Sequence, residues 1–354
     1  MKALMKIRPG EGNVTICDIP EPVCGDDDVK VDVRFTGICG TDLHVLHDTF
    51  RNYPPVILGH EFSGTVVETG RNIKDIHVGD RVAVLGSNKI TCGTCEFCMT
   101  GMYMFCPEKR GMGHGTNGSF TRYVTVREDQ CYKLPENISF KEGALAEPFA
   151  CAVQAAEELT KFNVGDTVLI MGPGPIGLMC LALIAAHGCR TVVAGTSKDA
   201  VRLAKAKEMG ADYVVDVSKE NPDDFIRRLT NGRGCDVVLD ASGSQAGIRQ
   251  ALSSVKKLGR YIQVGISGKD VTVNFDTILY KQLQVYGCNG HSRTSWEHVF
   301  RIFETGKVNL KPLISGIMPL SQWQEAFRMC EEKEAVKILL YYDDKENDTI
   351  EIKG

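Results

Sequence analysis

Apolar and polar positions follow two different rhythms along this chain. In the first part they alternate: Val29-Lys-Val-Asp-Val33, Phe62-Ser-Gly-Thr-Val-Val-Glu-Thr-Gly70, Val78-Gly-Asp-Arg-Val-Ala-Val84 and Gly118-Ser-Phe-Thr-Arg-Tyr-Val-Thr-Val126. A period of two marks half-buried strands. Glycine and proline punctuate the region at Pro9-Gly10, Pro20, Pro22 and Gly25, which predicts short strands in a bent sheet that closes on itself.

From Val164 the rhythm changes. Asp166-Thr-Val-Leu-Ile-Met171 is an unbroken apolar run, of the kind buried on both faces of a parallel sheet. Helical and strand patterns then alternate: a helix from Leu178 to His187, a strand at Thr191–Ala194, a helix from Ala200 to Met209 and a strand at Tyr213–Val215. They continue with a helix near Asp223–Thr230, a strand at Asp236–Asp240, a helix near Gln245–Lys257 and a strand at Tyr261–Val264. This is the order of a doubly wound parallel sheet. Beyond about Gly287 the alternation ends. A helix through Phe303, another from Leu320 to Glu332 and a strand at Val336–Tyr341 form a tail expected to return to the first domain.

Three stretches carry chemistry. Residues 37 to 61, GICGTDLHVLHDTFRNYPPVILGHE, gather Cys39, His60 and Glu61, with Thr41 and His44 beside them. Thiolate, imidazole and carboxylate are the side chains that bind zinc, and about three of them leave a position open for water or substrate. Cys92, Cys95, Cys98 and Cys106 form CxxCxxCx₇C, a spacing that closes four thiolates around a structural zinc in a lobe from about 87 to 110 with few apolar residues of its own. Gly172-Pro-Gly-Pro-Ile-Gly177 lies between the buried strand and a helix, the context in which GxGxxG admits the pyrophosphate of a dinucleotide. About 20 residues on, where an acid would bind the ribose of NAD, stand Ser197 and Lys198. A hydroxyl and a cation suit the 2′-phosphate of NADP; Asp199 leaves NAD open. Glu147 heads a helical run, where it can reach a metal or simply favour the helix dipole.

Composition narrows the classes. The length of 354 residues fits two domains. A net charge of −4 gives no reason to bind nucleic acid or an anionic membrane. No apolar run approaches a bilayer span, and MKALMKIRPG mixes charge into what would be a signal core, so the expected compartment is the cytoplasm. Four of the 14 cysteines cluster within 15 residues, which in a reducing compartment points to metal binding. Cys17, Cys131, Cys180, Cys189, Cys235 and Cys330 read as packing or surface residues.

Together GICGTDLH, GHEFSG at 59–64, the four-cysteine lobe, EP at 147 and GPGPIG at 172 resemble the zinc-containing medium-chain dehydrogenase/reductase family over essentially the whole chain. Within it the chain looks most like the sorbitol and other polyol dehydrogenases, and AGTSKD at 194–199 and TSW at 294–296 resemble the arabitol-phosphate branch. The resemblance implies an α/β protein: a GroES-like β-rich catalytic domain from residues 1–152 and 289–354, and a Rossmann domain from 153–288. It implies two zinc ions per chain. Cys39 and His60 would hold the catalytic one, with Glu61 or Glu147 as carboxylate, directly or through water; the family's alcohol dehydrogenases carry a cysteine at the Glu147 position. The cofactor set expected is Gly172, Gly174, Pro175, Ile176, Gly177, Ser197, Lys198, Arg202, Val264 and Gly265. Dimers or tetramers are usual in the family.

The expected reaction is reversible oxidation of a secondary hydroxyl on a polyol, sugar alcohol or polyol phosphate, with hydride passing to NAD(P). The proton would leave through Thr41 and then His44, with Thr41 sharing the face of Cys39 on an extended segment. Arg110, His291 and Arg293 are candidate cations for a substrate phosphate. The rivals are a threonine dehydrogenase, a zinc knuckle on nucleic acid, which the acidic balance disfavours, and a zinc-free quinone-reductase relative, which should lack these ligands.

Overall fold

Thr167–Met171 is buried at every position, and the sheet around it explains why. The computed structural model describes residues 1–343. In it this strand pairs in parallel with Arg190–Gly195 on one side and Cys235–Asp240 on the other. Tyr213–Asp216, Val255–Gln263 and Gln284–Gly287 complete a six-stranded parallel sheet whose strands, counted in chain order, lie 3-2-1-4-5-6. Alternate residues enter different cores, Val168 and Ile170 with the helix Pro175–Ala186 on one face, Leu169 and Met171 with Ile226, Ile248 and Leu252 on the other. The direction of winding reverses beside Thr167–Met171, which opens a crevice at the carboxyl ends of the strands.

The second large sheet is built from both ends of the chain. Asp28–Gly37 is its axis, pairing antiparallel with Glu61–Thr69 along its length, with Tyr123–Arg127 at one end and with Lys337–Tyr341 at the other. Ile314–Pro319 lies parallel to Lys337–Tyr341, while Arg81–Leu85 and Cys131–Lys133 extend the far side. A separate three-stranded sheet joins Lys2–Lys6, Val14–Asp18 and Val56–Ile57. Among the described residues no helix is long and apolar enough to cross a membrane.

Several local expectations change. The strand at Val29–Val33 has no solvated face: Lys30 is only 8% exposed, because its ammonium lies over the Tyr123 ring and pairs with Glu21 and Glu68. Residues 40–46 form a helix, not an extended segment. The helix from Gln245 stops at Ser254, and the next strand starts at once, at Val255. The strands Ile314–Pro319 and Gln284–Gly287 and the helix Asp276–Lys281 carry too little periodicity to be anticipated.

The tail is anchored by a buried charge. Lys337, 2% exposed, donates to both carboxylate oxygens of Glu61 at 2.6 and 2.9 Å and to the carbonyl of Ile38 at 2.8 Å. Burial works against the ammonium, but Glu61 and Cys39 hold its pKa above the ordinary lysine value. Lys337→Met leaves the Glu61 carboxylate buried and unpaired, so it should cost about 3–5 kcal/mol. The second change in Lys337→Met/Glu61→Leu should recover most of that loss, read as the urea midpoint at constant slope.

Candidate active site and cofactor cleft

The axial strand ends at Gly37, and the chain turns so that Cys39 caps the helix Gly40–Leu46. Asp42, in the first turn of that helix, ties the two halves of the site together. Its carboxylate accepts from the Cys39 amide at 2.9 Å and from the Gly59 amide at 3.1 Å. Gly59 has φ +86°, and a Cβ there would collide with the Phe120 ring, so the turn that delivers His60 and Glu61 demands glycine. The result places donor atoms of Cys39, His60 and Glu61 within 4.8 Å of one another.

This set fits a zinc ion on two counts. It combines thiol, imidazole and carboxylate, and among the described residues His60 Nδ1 is buried without a hydrogen-bond partner, with Asp42 Oδ1 3.9 Å away. A carboxylate behind a ligating histidine is the arrangement that orients such a ring. Burial would depress the His60 pKa, yet Cys39, Asp42 and Glu147 hold it well above its ordinary value. The pocket already favours positive charge.

Glu147 faces this group from the first turn of the helix Ala146–Val153. It is 8% exposed, and its Oε1 lies 3.3 Å from His291 Nε2. Burial opposes its ionisation, but the His291 hydrogen bond and the charge of His60 lower its pKa to about 2. Its carboxylate groups with Cys151 and His291, not with Cys39, His60 and Glu61. The two carboxylates considered from the sequence therefore fall in separate donor sets, Glu61 bound by Lys337 and Glu147 by His291. Lys337 and Cys151 drew no attention in the sequence, since nothing near either residue hints at its partners.

The remaining site residues fall as follows. Thr41 Oγ1 lies 3.7 Å from Cys39 Sγ, and His44, exposed and one helical turn on, shares a 2.9 Å hydrogen bond with Thr49. Of the three candidate cations, His291 is no mouth residue: it is 2% exposed and bonded to Tyr103 and Glu147. Arg293 lies 3.7 Å from Glu297 on its own helix, and Arg110 stacks on Tyr53 at 4.5 Å.

In the lobe, Cys95 and Cys98 sulfurs lie 3.5 Å apart, Cys92 and Cys106 3.6 Å, and Cys92 and Cys98 3.9 Å. Four thiolates about 2.3 Å from a tetrahedral zinc stand about 3.8 Å from each other, so the four side chains already outline that figure. Backbone amides of Thr94 and Cys95 lower the Cys92 pKa to about 6, whereas burial and the Cys95 thiol push Cys98 up to about 12. Four like charges at these distances need a cation among them.

The glycine turn divides its work in three. Gly172 has φ +97° and packs against the Ser242 backbone, Gly174 opens the helix with nothing within 4 Å of where a Cβ would stand, and a Cβ at Gly177 would collide with the Gly172 carbonyl. Those are the tight turn, the approach for a pyrophosphate and the close helix–strand contact. Pro175 takes the first helical position, where its missing N–H costs nothing, and Ile176 follows it. Val264 and Gly265 amides both bond the Asp240 carbonyl across the crevice. A cleft of about 330 Å³ runs from the turn past Thr196 and Arg202. Ser197 Oγ donates to Asp216 at 2.7 Å, and Lys198 is exposed; neither side chain lines the cleft. Asp199, though buried, lines this cleft beside Lys333, and it accepts from Thr196 and, at 2.7 Å, from Lys333. Arg202 spends Nε and Nη2 on the carbonyls of Cys330 and Ala335.

A nucleotide cleft, a four-cysteine lobe, a Cys39–His60–Glu61 donor set and a sheet made from both parts of the chain define a zinc-dependent dehydrogenase. The comparisons agree. Residues 25–136 match the alcohol dehydrogenase GroES-like domain and residues 175–305 the zinc-binding dehydrogenase domain. A sorbitol dehydrogenase of Halalkalibacterium halodurans is 37% identical over 96% of this chain and 99% of its own. A D-arabitol-phosphate dehydrogenase of Enterococcus avium is 36% identical over 96% and 97%. A crystal structure from Sinorhizobium meliloti 1021 with NADP bound superposes with a TM-score of 0.86, at 29% identity, over 96% of this chain and 98% of that one. The chain belongs to the zinc-binding alcohol dehydrogenase family and is an NAD(P)-linked oxidoreductase.

Two substitutions check the geometry. Cys95→Ser should lower the zinc content by one ion per chain by elemental analysis and reduce the melting temperature, since the lobe relies on its ion. Gly177→Ala should weaken dinucleotide binding about tenfold or more by fluorescence titration, because the helix must retreat from the turn.

Proposed function

We propose that this enzyme reversibly oxidises a secondary hydroxyl of a polyol or polyol phosphate, with residues 1–152 and 289–354 forming the catalytic domain and 153–288 carrying the cofactor. The observation that carries the reading is the meeting of Cys39, His60 and Glu61 opposite Glu147. The helix bearing Glu147 packs directly against the one that the glycine turn opens, which brings the metal donors next to the cofactor. The named activities of the sorbitol and arabitol-phosphate relatives supply the substrate class.

Cys39, His60 and Glu61 hold the catalytic zinc, and Cys92, Cys95, Cys98 and Cys106 hold the structural one. When bound, zinc acts as a Lewis acid toward the substrate hydroxyl and NAD(P) accepts the hydride. The chain supplies the surroundings. Asp42 fixes the His60 side of the donor set, Lys337 keeps Glu61 in place, and Glu147 presents a carboxylate to the substrate side. Thr41, beside Cys39, and His44, one turn on at the surface, provide a route for the proton that ends at Thr49 and solvent.

At the cofactor rim the acid that would select NAD is missing. Gly195 ends the second strand of the parallel sheet, and a Cβ there would stand 2.8 Å from Pro173. Asp199 lines the cleft but its carboxylate is taken by Thr196 and Lys333, whereas Ser197 and Lys198 are exposed. This favours NADP or dual use. The fourteen cysteines are unpaired, as suits a reducing cytoplasm, and the functional unit is a homodimer or homotetramer.

Side-by-side assays on sorbitol, arabitol 5-phosphate and threonine, each with NAD and NADP, test the assignment. Turnover of a polyol or its phosphate is expected; no turnover of either would end it. Cys39→Ser should lower kcat/KM by about 10³-fold. Lys198→Glu should raise the KM for NADP about tenfold while leaving NAD nearly unaffected.

A further inference from the structure

We propose that Glu147, Cys151 and His291 form a second divalent-cation station beside the catalytic one, one that takes zinc or cadmium and draws Glu147 away from the substrate side. Glu147 and Cys151 are four residues apart on the helix Ala146–Val153 and so lie on one face, a turn from each other. His291 approaches from just before the helix Arg293–Thr305, which packs on the same helix. Ligand atoms of all three lie within 4.8 Å of one another. Small side-chain rotations close that span to the about 3.5 Å edge of a tetrahedral set.

The chemistry of the set matches that of Cys39, His60 and Glu61: one thiol, one imidazole, one carboxylate. His291 and Glu147 are buried, 2% and 8% exposed, and Cys151 is half-buried. The Cys151 thiol makes no hydrogen bond among the described residues. Behind the imidazole, Tyr103 Oη lies 2.9 Å from His291 Nδ1, the kind of partner that orients a ligating histidine and sets its tautomer. Tyr103 belongs to the four-cysteine lobe, between Cys98 and Cys106, so the lobe supports this station from outside.

Protons balance simply. Without a cation, His291 Nε2–H donates to Glu147 and Tyr103 donates to Nδ1. With one, Nε2 is bare, Nδ1–H donates to the Tyr103 oxygen, and only the Cys151 thiol proton is released to solvent. Cys39, Glu61, Glu147 and Cys151 would then offer four negative charges, opposed by Lys337 on the Glu61 side and by Lys109 on the Glu147 and Cys151 side. The site stands apart from the catalytic reading; its effect on rate rests on that reading, through the shared Glu147.

The test titrates cadmium into the holoenzyme carrying two zinc ions per chain. The expected result is a third ion per chain with both zinc ions retained, a thiolate-to-cadmium absorption band, and a rate about tenfold lower or less, reversed by a chelator. Cys151→Ser should lose the band and weaken cadmium inhibition, relative to its own basal rate, by about 10–100-fold. His291→Gln provides a second, independent removal of the station. In Cys39→Ser the band should persist while one zinc is lost. No third ion, one-for-one exchange of zinc for cadmium, or a band undiminished in Cys151→Ser would overturn the proposal. An unchanged zinc content in Cys39→Ser would instead overturn the catalytic assignment.

Discussion

The ion pair between Glu61 and Lys337 holds together residues 276 positions apart in a place from which water is excluded. Neither charge is tolerable there alone, since a buried, uncompensated ion costs several kcal/mol. The pair therefore obliges the last strand to return and lie against the end of Asp28–Gly37, the strand that delivers Cys39. The ammonium also reaches the Ile38 carbonyl, one residue before Cys39. A sheet made of strands from both parts of the chain is the topological consequence of that requirement.

Around this anchor the site concentrates negative charge. Cys39, Asp42, Glu61 and Glu147 converge within a low-dielectric pocket where like charges repel strongly. Asp42 responds with a pKa raised by burial, against the pull of His60 and two backbone amides, while Cys39, Asp42 and Glu147 hold the His60 pKa well above its ordinary value against burial. Lys337 relieves only part of the imbalance, so a divalent ion is the natural complement. The lobe repeats the logic with four sulfurs.

The cofactor side is governed by sterics more than by charge. Gly172, Gly174 and Gly177 each answer a different demand of close approach, and Gly195 extends the principle to the neighbouring strand, where Pro173 leaves no room for a side chain. Excluding a carboxylate at that position shapes cofactor choice as surely as a positive charge would. Asp199 is held by Thr196 and Lys333 as part of the following helix start, and Asp216 accepts from Ser197.

Features set by neighbours in sequence were legible before any coordinates. The alternating and unbroken apolar runs revealed two kinds of sheet, the four cysteines a tetrahedral lobe, and GPGPIG a dinucleotide turn, because period and spacing are properties of a few consecutive residues. The short helix Gly40–Leu46 is not legible in this way, because its seven residues carry too little periodicity to distinguish it from an extended segment. Lys337 on Glu61, His291 on Glu147 and Cys151 beside both are pairings between distant segments. Only the packed chain could decide them, since burial and partnership arise when remote strands and helices share one desolvated space.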